Sequence, residues 1–365
     1  MIKLDQRLIL GFDWLWFLVL LALSGAGVIA IWSTTDGTSL NSYFGKQLIY
    51  ACCGLLVFLA VLYFDYHVFS DFITFIYLAG LVLLGLVLII GRTIHGNKSW
   101  IDIGNVFSLQ PSELVKIFVI IALAKYYSEL DKEYLGIREL VTGAAITFVP
   151  ALMVLLEHDL GTTITFFPIW AVLSCLAGIR KKHLIILIAI AIAAAPIAWF
   201  LMRGYRQGRI EAVFNPQSAA RGLNYQTNQS EIAIGSGRFL GKGFKQGSQG
   251  RQGFLPARHT DFVFAVFSEE KGFVGSITIL GLFLFLCFRL FRTAREAKDK
   301  IGSMIVVGIL SVLVFHIAIN IGMVEGMLPV IGIPLPFVSA GGSSLVSYFA
   351  SMGLCMGIRM RRYVN

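Results

Sequence analysis

Residues 255–292 read LPARHTDFVFAVFSEEKGFVGSITILGLFLFLCFRLFR. The first half gathers an arginine, a histidine, an aspartate and two glutamates. The second half is apolar over about 20 residues, the length at which a helix crosses a bilayer. The stretch predicts a membrane-spanning helix that begins directly after a group of ionisable residues. Similar apolar runs recur along the chain, so this pattern decides the fold class.

The composition is typical of a membrane protein. The chain has 365 residues, of which 57% are hydrophobic and 14% charged, and its mean hydropathy is +0.78. Soluble proteins carry about 25% charged residues. We therefore predict an all-α polytopic membrane protein that forms a single integral membrane domain over residues 1–365. The net charge of +9 comes largely from basic residues beside apolar runs. This placement indicates membrane topology rather than a nucleic-acid partner.

The apolar runs predict about ten transmembrane helices and one long external loop, 203–271. The predicted spans are 12–32, 46–64, 72–91, 111–127, 139–157, 161–179, 183–202, 272–292, 303–324 and 337–358. With ten spans, four basic groups fall on one side of the membrane, which the positive-inside rule assigns to the cytoplasm together with both termini. These groups are Lys3 and Arg7, then 180–182, then the basic residues of 289–300, then those of 359–362.

Two polar groups interrupt the apolar pattern in the first half of the chain. In QPSELVKIF, 110–118, Glu113 and Lys116 share a helical face. They form either a structural ion pair near the interface or the wall of a polar cavity. In EHDLGTT, 157–163, three adjacent ionisable side chains on a turn are poor metal ligands. Asp159 as the cap of the next helix is the simpler interpretation.

The end of the long external loop carries the sharpest candidate for chemistry. Asp261 lies between His259-Thr260 and the apolar stretch 262–264. Partial desolvation beside aromatic rings strengthens a carboxylate as a base. The alternative is a capping aspartate at the membrane boundary. The loop before it is rich in glycine and in cations that either meet phosphates or touch anionic lipid heads. These cations include Arg209, Arg221, Arg238, Lys242, Lys245 and Arg251.

The stretch EGMLPVIGIPLPFVSAGGSS, 325–344, cannot form an ordinary helix, because it combines three prolines with closely spaced glycines. Irregular backbone at membrane depth is tolerated only where it is buried in protein or lines a cavity. Ser343 is among the polar residues that would line such a cavity. A plain external loop that leads into the last helix is the alternative.

Several of these motifs together resemble the SEDS family (RodA/FtsW/SpoVE), and most closely its elongation members. The C-terminal signature is NIGMVEGMLPVIGIPLPFVSAGGSS, 320–344. The other matches follow the family order over nearly the whole chain. They are SLQPSELVK, DLGTT, NYQTNQSEIAIGSGRFLGKG and FLPARHTDFVFAVFSEEKGFVG. The sequence departs from the family pattern at Glu157-His158, where Gln-Pro is common, and at Ala257-Arg258.

The resemblance implies a ten-span fold distantly similar to GT-C glycosyltransferases. It implies an enzyme that polymerises lipid II into glycan strands on the outer face of the bacterial cytoplasmic membrane during elongation. The implied partners are a class B penicillin-binding protein with transpeptidase activity, other elongation-complex membrane proteins and membrane lipid. By position, Asp261 matches the essential loop aspartate, Glu113 and Lys116 match the polar cavity pair, and Asp159 matches the aspartate after span five.

The chemistry of the implied reaction agrees with these positions. A sugar hydroxyl is a poor nucleophile at neutral pH, so a positioned carboxylate helps, and a departing pyrophosphate needs cations or a metal. We predict Asp261 as the catalytic base. The predicted cavity and substrate-binding residues are Glu113, Lys116, Asp159, Arg221, Arg238, Lys242, His259, Thr260 and Ser343. No metal-ligand set is evident in the sequence, and a divalent cation, Mg²⁺ or Mn²⁺, is a candidate cofactor.

Two other functions fit part of the sequence. A flippase for lipid-linked sugars would also use charges within the membrane such as Glu113 and Lys116. A non-catalytic scaffold of a cell-wall complex would make Asp261 dispensable at unchanged protein level. Asp261 discriminates between these functions and the polymerase, since only the polymerase needs a base confined to the outer boundary.

Overall fold

The computed structural model describes residues 11–35, 37, 39, 42–94, 97–103, 107–187, 189, 193, 207–208, 211 and 224–363. Most of the predicted span 183–202 and the first part of the loop 203–271 lie outside these residues. So do Lys3, Arg7, Arg209 and Arg221. The predictions that depend on them stay predictions.

The described part of the chain is predominantly helical, which confirms the all-α polytopic membrane fold. Its helices are α1 (Trp14–Thr34), α2 (Tyr43–Tyr63), α3 (Tyr66–Asp71), α4 (Ile73–Ile90), α5 (Pro111–Ser128), α6 (Ile137–Leu156), α7 (Leu160–Ile164), α8 (Phe166–Leu176), α9 (Tyr225–Gly237), α10 (Ser248–Arg251), α11 (Val263–Arg295), α12 (Lys300–Val324) and α13 (Gly342–Met360). Residues 181–187 are also helical.

Among the described helices, 6 are long and apolar enough to cross a membrane: α1, α2, α4, α6, α11 and α12. Helices α5 and α13 also fall on predicted spans, but they carry more polar residues, and α13 is almost entirely buried. The count of ten spans therefore remains a prediction. Helix α13 packs most closely against α2. There a Cβ added to Gly353 would lie 2.7 Å from the Phe58 carbonyl oxygen, so only glycine allows this approach.

A small antiparallel sheet follows α4, which the sequence pattern did not predict. Its order is β1 (Arg92–Ile94), β2 (Asn97–Ile103), β3 (Phe107–Leu109). The Lys98 ammonium donates to the carbonyl oxygens of Leu88 and Ile89 at the end of α4. The Ser108 N–H donates to the Tyr50 hydroxyl of α2 at 3.0 Å. The sheet therefore closes one end of the helix bundle.

Helix α11 is interrupted at Gly272, whose φ of 66° is unfavourable for other residues. The break frees backbone groups that a neighbouring segment, 238–243, then satisfies. The N–H groups of residues 273 and 274 donate to the carbonyls of 238 and 239, and the N–H groups of 242 and 243 donate to the carbonyls of 269 and 270. Irregular backbone at this depth is stable because protein groups replace the missing helical bonds. The predicted span starts at this residue.

Ion pairs collect at the end of the bundle opposite the sheet, which we call the basic end. Here the C-terminal parts of α11 and α13, together with the residues just after them, lie beside the residues that precede α1 and α3. The pairs are Arg289–Asp13, Arg359–Asp13, Arg361–Asp65 and Arg362–Glu296. The sheet and Asp261 lie at the other end, which we call the Asp261 end.

Candidate functional site

Asp261 lies where the described part of the external loop enters α11. The neighbouring rings of Phe262 and Phe264 are buried, at 0% and 2% exposure, whereas Asp261 is half-buried. The aromatic side chains anchor the segment in the core because their burial is favourable. The structure thus places the Asp261 carboxyl at the boundary between the core and the solvent.

The backbone of residues 259–261 is held by the C-terminal signature. Its three consecutive carbonyl oxygens accept hydrogen bonds at 2.8, 2.6 and 2.9 Å from the Ala340 N–H, the Ser339 hydroxyl and the Asn320 amide, respectively. The Asn320 amide also donates to the carbonyl of Ile333 at 2.8 Å. The irregular stretch 325–341 is therefore packed directly against the segment that carries Asp261.

The Asp261 carboxyl faces a glycine in this stretch. Gly332 has a φ of 83°, and a Cβ added there would lie 3.8 Å from Asp261 Oδ2. On the other side of the stretch, a Cβ added to Gly161 in α7 would lie 3.0 Å from the Ile331 carbonyl. The two motifs that the sequence separates by a hundred residues therefore flank the same piece of backbone.

His259 joins this segment to α1 and α2. Its Nδ1 lies 2.8 Å from the Thr34 hydroxyl, its Nε2 accepts from Arg258 at 3.4 Å, and its ring stacks on Tyr43 at 4.5 Å. Burial and, to a smaller extent, the neighbouring Arg258 guanidinium lower the pKa of His259 to about 4. A neutral ring fits the network, because Nε2 can accept only when the proton sits on Nδ1. His259 is therefore an uncharged residue next to the Asp261 segment, and it links that segment to α1 and α2.

Thr260 and Ser343, also predicted as site residues, are engaged within the protein. The Thr260 hydroxyl donates to the Ala257 carbonyl at 3.3 Å. The Ser343 hydroxyl accepts from the Gln110 N–H and donates to the Ser108 carbonyl, both at 2.8 Å. Ser343 thus fixes the start of α13 against the sheet and the start of α5.

Asp159 caps α7. Its carboxylate accepts from the Thr162 N–H at 3.0 Å and from the Thr162 hydroxyl at 2.8 Å. It also accepts from the Gln110 side chain at 2.7 Å, and it is only 7% exposed. The simpler of the two interpretations, a helix cap, is the one that the structure shows. Asp159 holds the starts of α5 and α7 together.

Glu113 and Lys116 form a buried ion pair. Their N–O distance is 2.8 Å, and their side chains are 6% and 5% exposed. Both line a cavity of about 20 Å³ that also borders Tyr348. This space holds about one water molecule. The Tyr348 hydroxyl contacts His316 Nδ1 at 2.6 Å. The predicted pair therefore lines a small cavity whose walls are partly polar and partly aliphatic, and Asp261 is not among the lining residues.

The external loop provides the bonding partners of Glu269, the first of the two glutamates that follow Asp261. Glu269 is fully buried, and its carboxylate accepts from the Lys242 ammonium at 2.7 Å and from the N–H groups of residues 248–250. The Lys242 ammonium is thus already paired within the protein. Arg238 is exposed, and it ends α9 with a φ of 50°. Of the predicted loop cations, Arg238 is a described residue that remains open to a ligand, while Arg221 lies outside the described residues.

Sequence reasoning missed Asn320 and His316. They lie one helical turn apart in α12, and both are buried, at 0% and 2% exposure. The sequence carried a signal for these two residues, since polar side chains within an apolar span are costly and usually have a functional or structural role. Their partners could not be found that way, because they come from other parts of the chain.

The family model for cell cycle proteins of the FtsW/RodA/SpoVE type matches residues 7–364. Peptidoglycan glycosyltransferase MrdB of Escherichia coli K12 is 34% identical over 346 residues, which covers 94% of this chain and 92% of MrdB. Stage V sporulation protein E of Bacillus subtilis 168 is 36% identical over 361 residues, which covers 96% of this chain and 98% of the relative.

Two solved structures have the same fold. A chain of a peptidoglycan synthase complex that coordinates polymerization and crosslinking superposes with a TM-score of 0.82 at 27% identity, covering 97% of this chain and 99% of that one. The rod shape determining protein RodA of Thermus thermophilus gives a TM-score of 0.73 at 27% identity, with 97% and 98% covered. From the family match and these likenesses, the chain belongs to the FtsW/RodA/SpoVE (SEDS) family of multi-pass membrane proteins.

Proposed function

We propose that the chain is a peptidoglycan glycosyltransferase that polymerises lipid II on the outer face of the bacterial cytoplasmic membrane during elongation. The observation that carries this proposal is the position of Asp261. Its carboxyl is half-buried at the solvent boundary, and its backbone is fixed by the family signature. The names of curated relatives, such as peptidoglycan glycosyltransferase MrdB, support the same activity.

In the proposed reaction Asp261 acts on the acceptor sugar. Its carboxylate takes the proton of the attacking hydroxyl as that oxygen bonds to the anomeric carbon of the donor sugar. The bond between this carbon and the polyprenyl pyrophosphate breaks, and the pyrophosphate leaves with the electron pair. The Phe262 and Phe264 rings exclude water behind the aspartate, which limits hydration of the base in its resting state.

The leaving pyrophosphate needs positive charge. Arg238 is exposed at the end of α9, and we assign it this role. Among the described residues there is no group of three or more His, Cys, Asp or Glu side chains that could hold a metal. A divalent cation, Mg²⁺ or Mn²⁺, stays a candidate cofactor, for example as an ion that arrives with the substrate's own phosphates.

The proposed partners are a class B penicillin-binding protein, which would supply the transpeptidase, and other elongation-complex membrane proteins. The likeness to a chain of a peptidoglycan synthase complex supports the first of these. The proposed topology has both termini in the cytoplasm. The arginines gathered at the basic end support this orientation, since cytoplasmic faces are enriched in basic residues.

The decisive experiment is polymerisation of labelled lipid II by the purified full-length chain, with and without the transpeptidase partner. We expect Asp261→Asn to lower the rate by about 100- to 10,000-fold, the usual cost of losing a general base. Asp102→Asn is the matched control, because Asp102 also lies at the Asp261 end but pairs with Arg92 at 2.5 Å. This control should polymerise at the wild-type rate.

The same variant separates the rival functions. A flippase would move lipid-linked sugar equally well with Asp261→Asn, and a scaffold would support growth with it at unchanged protein level. Polymerisation within a few-fold of wild type by purified Asp261→Asn protein would contradict the proposed role of Asp261.

A further inference from the structure

The hydrogen bonds to residues 259–261 have a consequence for catalysis. We infer that Ser339 and Asn320 are positioning residues, which act on the reaction by fixing the backbone that carries Asp261. The inference rests on the proposed role of Asp261 as the base. It gives the C-terminal signature a function that needs no contact with the substrate.

The Ser339 hydroxyl forms hydrogen bonds to two different segments. Its hydroxyl donates to the Thr260 carbonyl at 2.6 Å and accepts from the Leu335 N–H at 2.8 Å. One oxygen thus ties the residue before Asp261 to the irregular stretch 325–341. The side chain is 4% exposed, so water cannot easily replace either bond. A threonine would keep the hydroxyl, and an alanine would remove both bonds.

Asn320 makes the second connection. Its amide nitrogen is shared between the carbonyls of Asp261 and Ile333, at 2.9 and 2.8 Å. Because both partners are acceptors, the side-chain nitrogen rather than the oxygen must face them. Asn320 is fully buried on α12, a long helix, so it ties the reacting segment to a rigid element. An aspartate here would keep the shape but turn an oxygen toward two carbonyl oxygens.

These hydrogen bonds are concentrated on the segment that carries the aspartate and are not spread over the core. They fall on three consecutive residues that end with Asp261, and they come from residues that are 59 and 79 positions away for the two side chains. The side chain of Asp261 starts from this backbone and faces Gly332 in the same stretch. A shift of the segment would therefore move the carboxyl away from the sugar hydroxyl. Misplacement by about 1 Å can cost about 100-fold in rate.

The test compares lipid II polymerisation by purified Ser339→Ala, Ser339→Thr and Asn320→Asp proteins. Ser311→Ala is the matched control, because among the described residues the Ser311 hydroxyl bonds only within α12, to the Gly308 carbonyl at 2.7 Å. We expect Ser339→Ala to lower kcat by about 10- to 100-fold with little change in the KM for lipid II. Ser339→Thr should recover at least half of the wild-type kcat, and Asn320→Asp should lose at least as much as Ser339→Ala.

Thermal unfolding and size-exclusion profiles show which variants are folded. If Asn320→Asp does not fold, the comparison of Ser339→Ala with Ser339→Thr decides the question. A wild-type kcat for Ser339→Ala would overturn the inference. A Ser339→Thr variant as slow as Ser339→Ala, or a loss confined to KM, would overturn it too. Asp261→Asn is measured in parallel. If it stays active, the proposed base is wrong. If it is inactive while Ser339→Ala is normal, only the positioning role is wrong.

Discussion

The buried pair Glu113–Lys116 allows a quantitative test of how the membrane domain tolerates charge. We consider Glu113→Gln and Lys116→Met, which nearly preserve side-chain volume, together with the double variant. Each single change leaves the other charge without its partner. The double change removes both charges and the need for pairing.

The magnitude follows from the distance and the burial. At 2.8 Å and an effective dielectric constant of about 20, the attraction is about 6 kcal/mol. Desolvation of two groups that are 6% and 5% exposed offsets much of it. Breaking such a pair from one side costs about 3–5 kcal/mol, because an unpaired charge stays buried. We expect each single variant to lose about this much unfolding free energy, and the double variant to lose no more than one single variant.

The measurement is a double-mutant cycle on the free energy of unfolding, from denaturation of the purified chain by SDS in mixed micelles. The coupling energy should be at least about 3 kcal/mol. The pair Lys125–Glu129 at the end of the same helix is the matched control, since its N–O distance is 3.9 Å and its side chains are 27% and 63% exposed. Its coupling should be about 0.3–0.5 kcal/mol. Equal coupling for the two pairs, or strictly additive losses for Glu113 and Lys116, would refute the reasoning.

Two further predictions concern the Asp261 end. The pKa of His259 in the folded chain is about 4, below its unfolded value of about 6.5. The stability from its neutral form is therefore present above pH 6.5 and should be lost as the pH falls toward 4. His259→Asn should remove this part of the acid sensitivity in thermal unfolding, and an unchanged pH profile would contradict it. Arg238→Ala should lower turnover at saturating lipid II in detergent if the guanidinium meets the pyrophosphate. Wild-type turnover would leave Arg238 as a contact for anionic lipid heads. Arg251→Ala serves as the control, because the Arg251 guanidinium already donates to the Lys245 carbonyl at 3.2 Å.

The sequence by itself determined the fold class and the local geometry. Apolar runs of about 20 residues predict helices whatever their partners, because the bilayer requires every backbone group to be bonded within the segment. The ion pair of Glu113 and Lys116 follows from a spacing of three on one helix, and the cap at Asp159 follows from the residues just after it. The position of Asp261 at the start of a span could also be read from the change in hydropathy. Family membership followed from the order of the motifs, and the family match confirmed it.

Only the tertiary structure decided what surrounds Asp261. The sheet after α4 is formed by three short segments that contain several polar residues. Their polar and apolar residues do not alternate strongly enough to predict strands. Lys242 was predicted as a phosphate ligand, yet it pairs with Glu269, 27 residues away. Asn320 and Ser339 reach the Asp261 segment across 59 and 79 residues. Periodicity describes only neighbours within a few turns, whereas these contacts depend on how α11, α12 and the signature stretch pack. The physical reason is that a buried donor can bond to any carbonyl oxygen that lies close enough. The packing of the helices determines which carbonyl oxygen is at hydrogen-bonding distance.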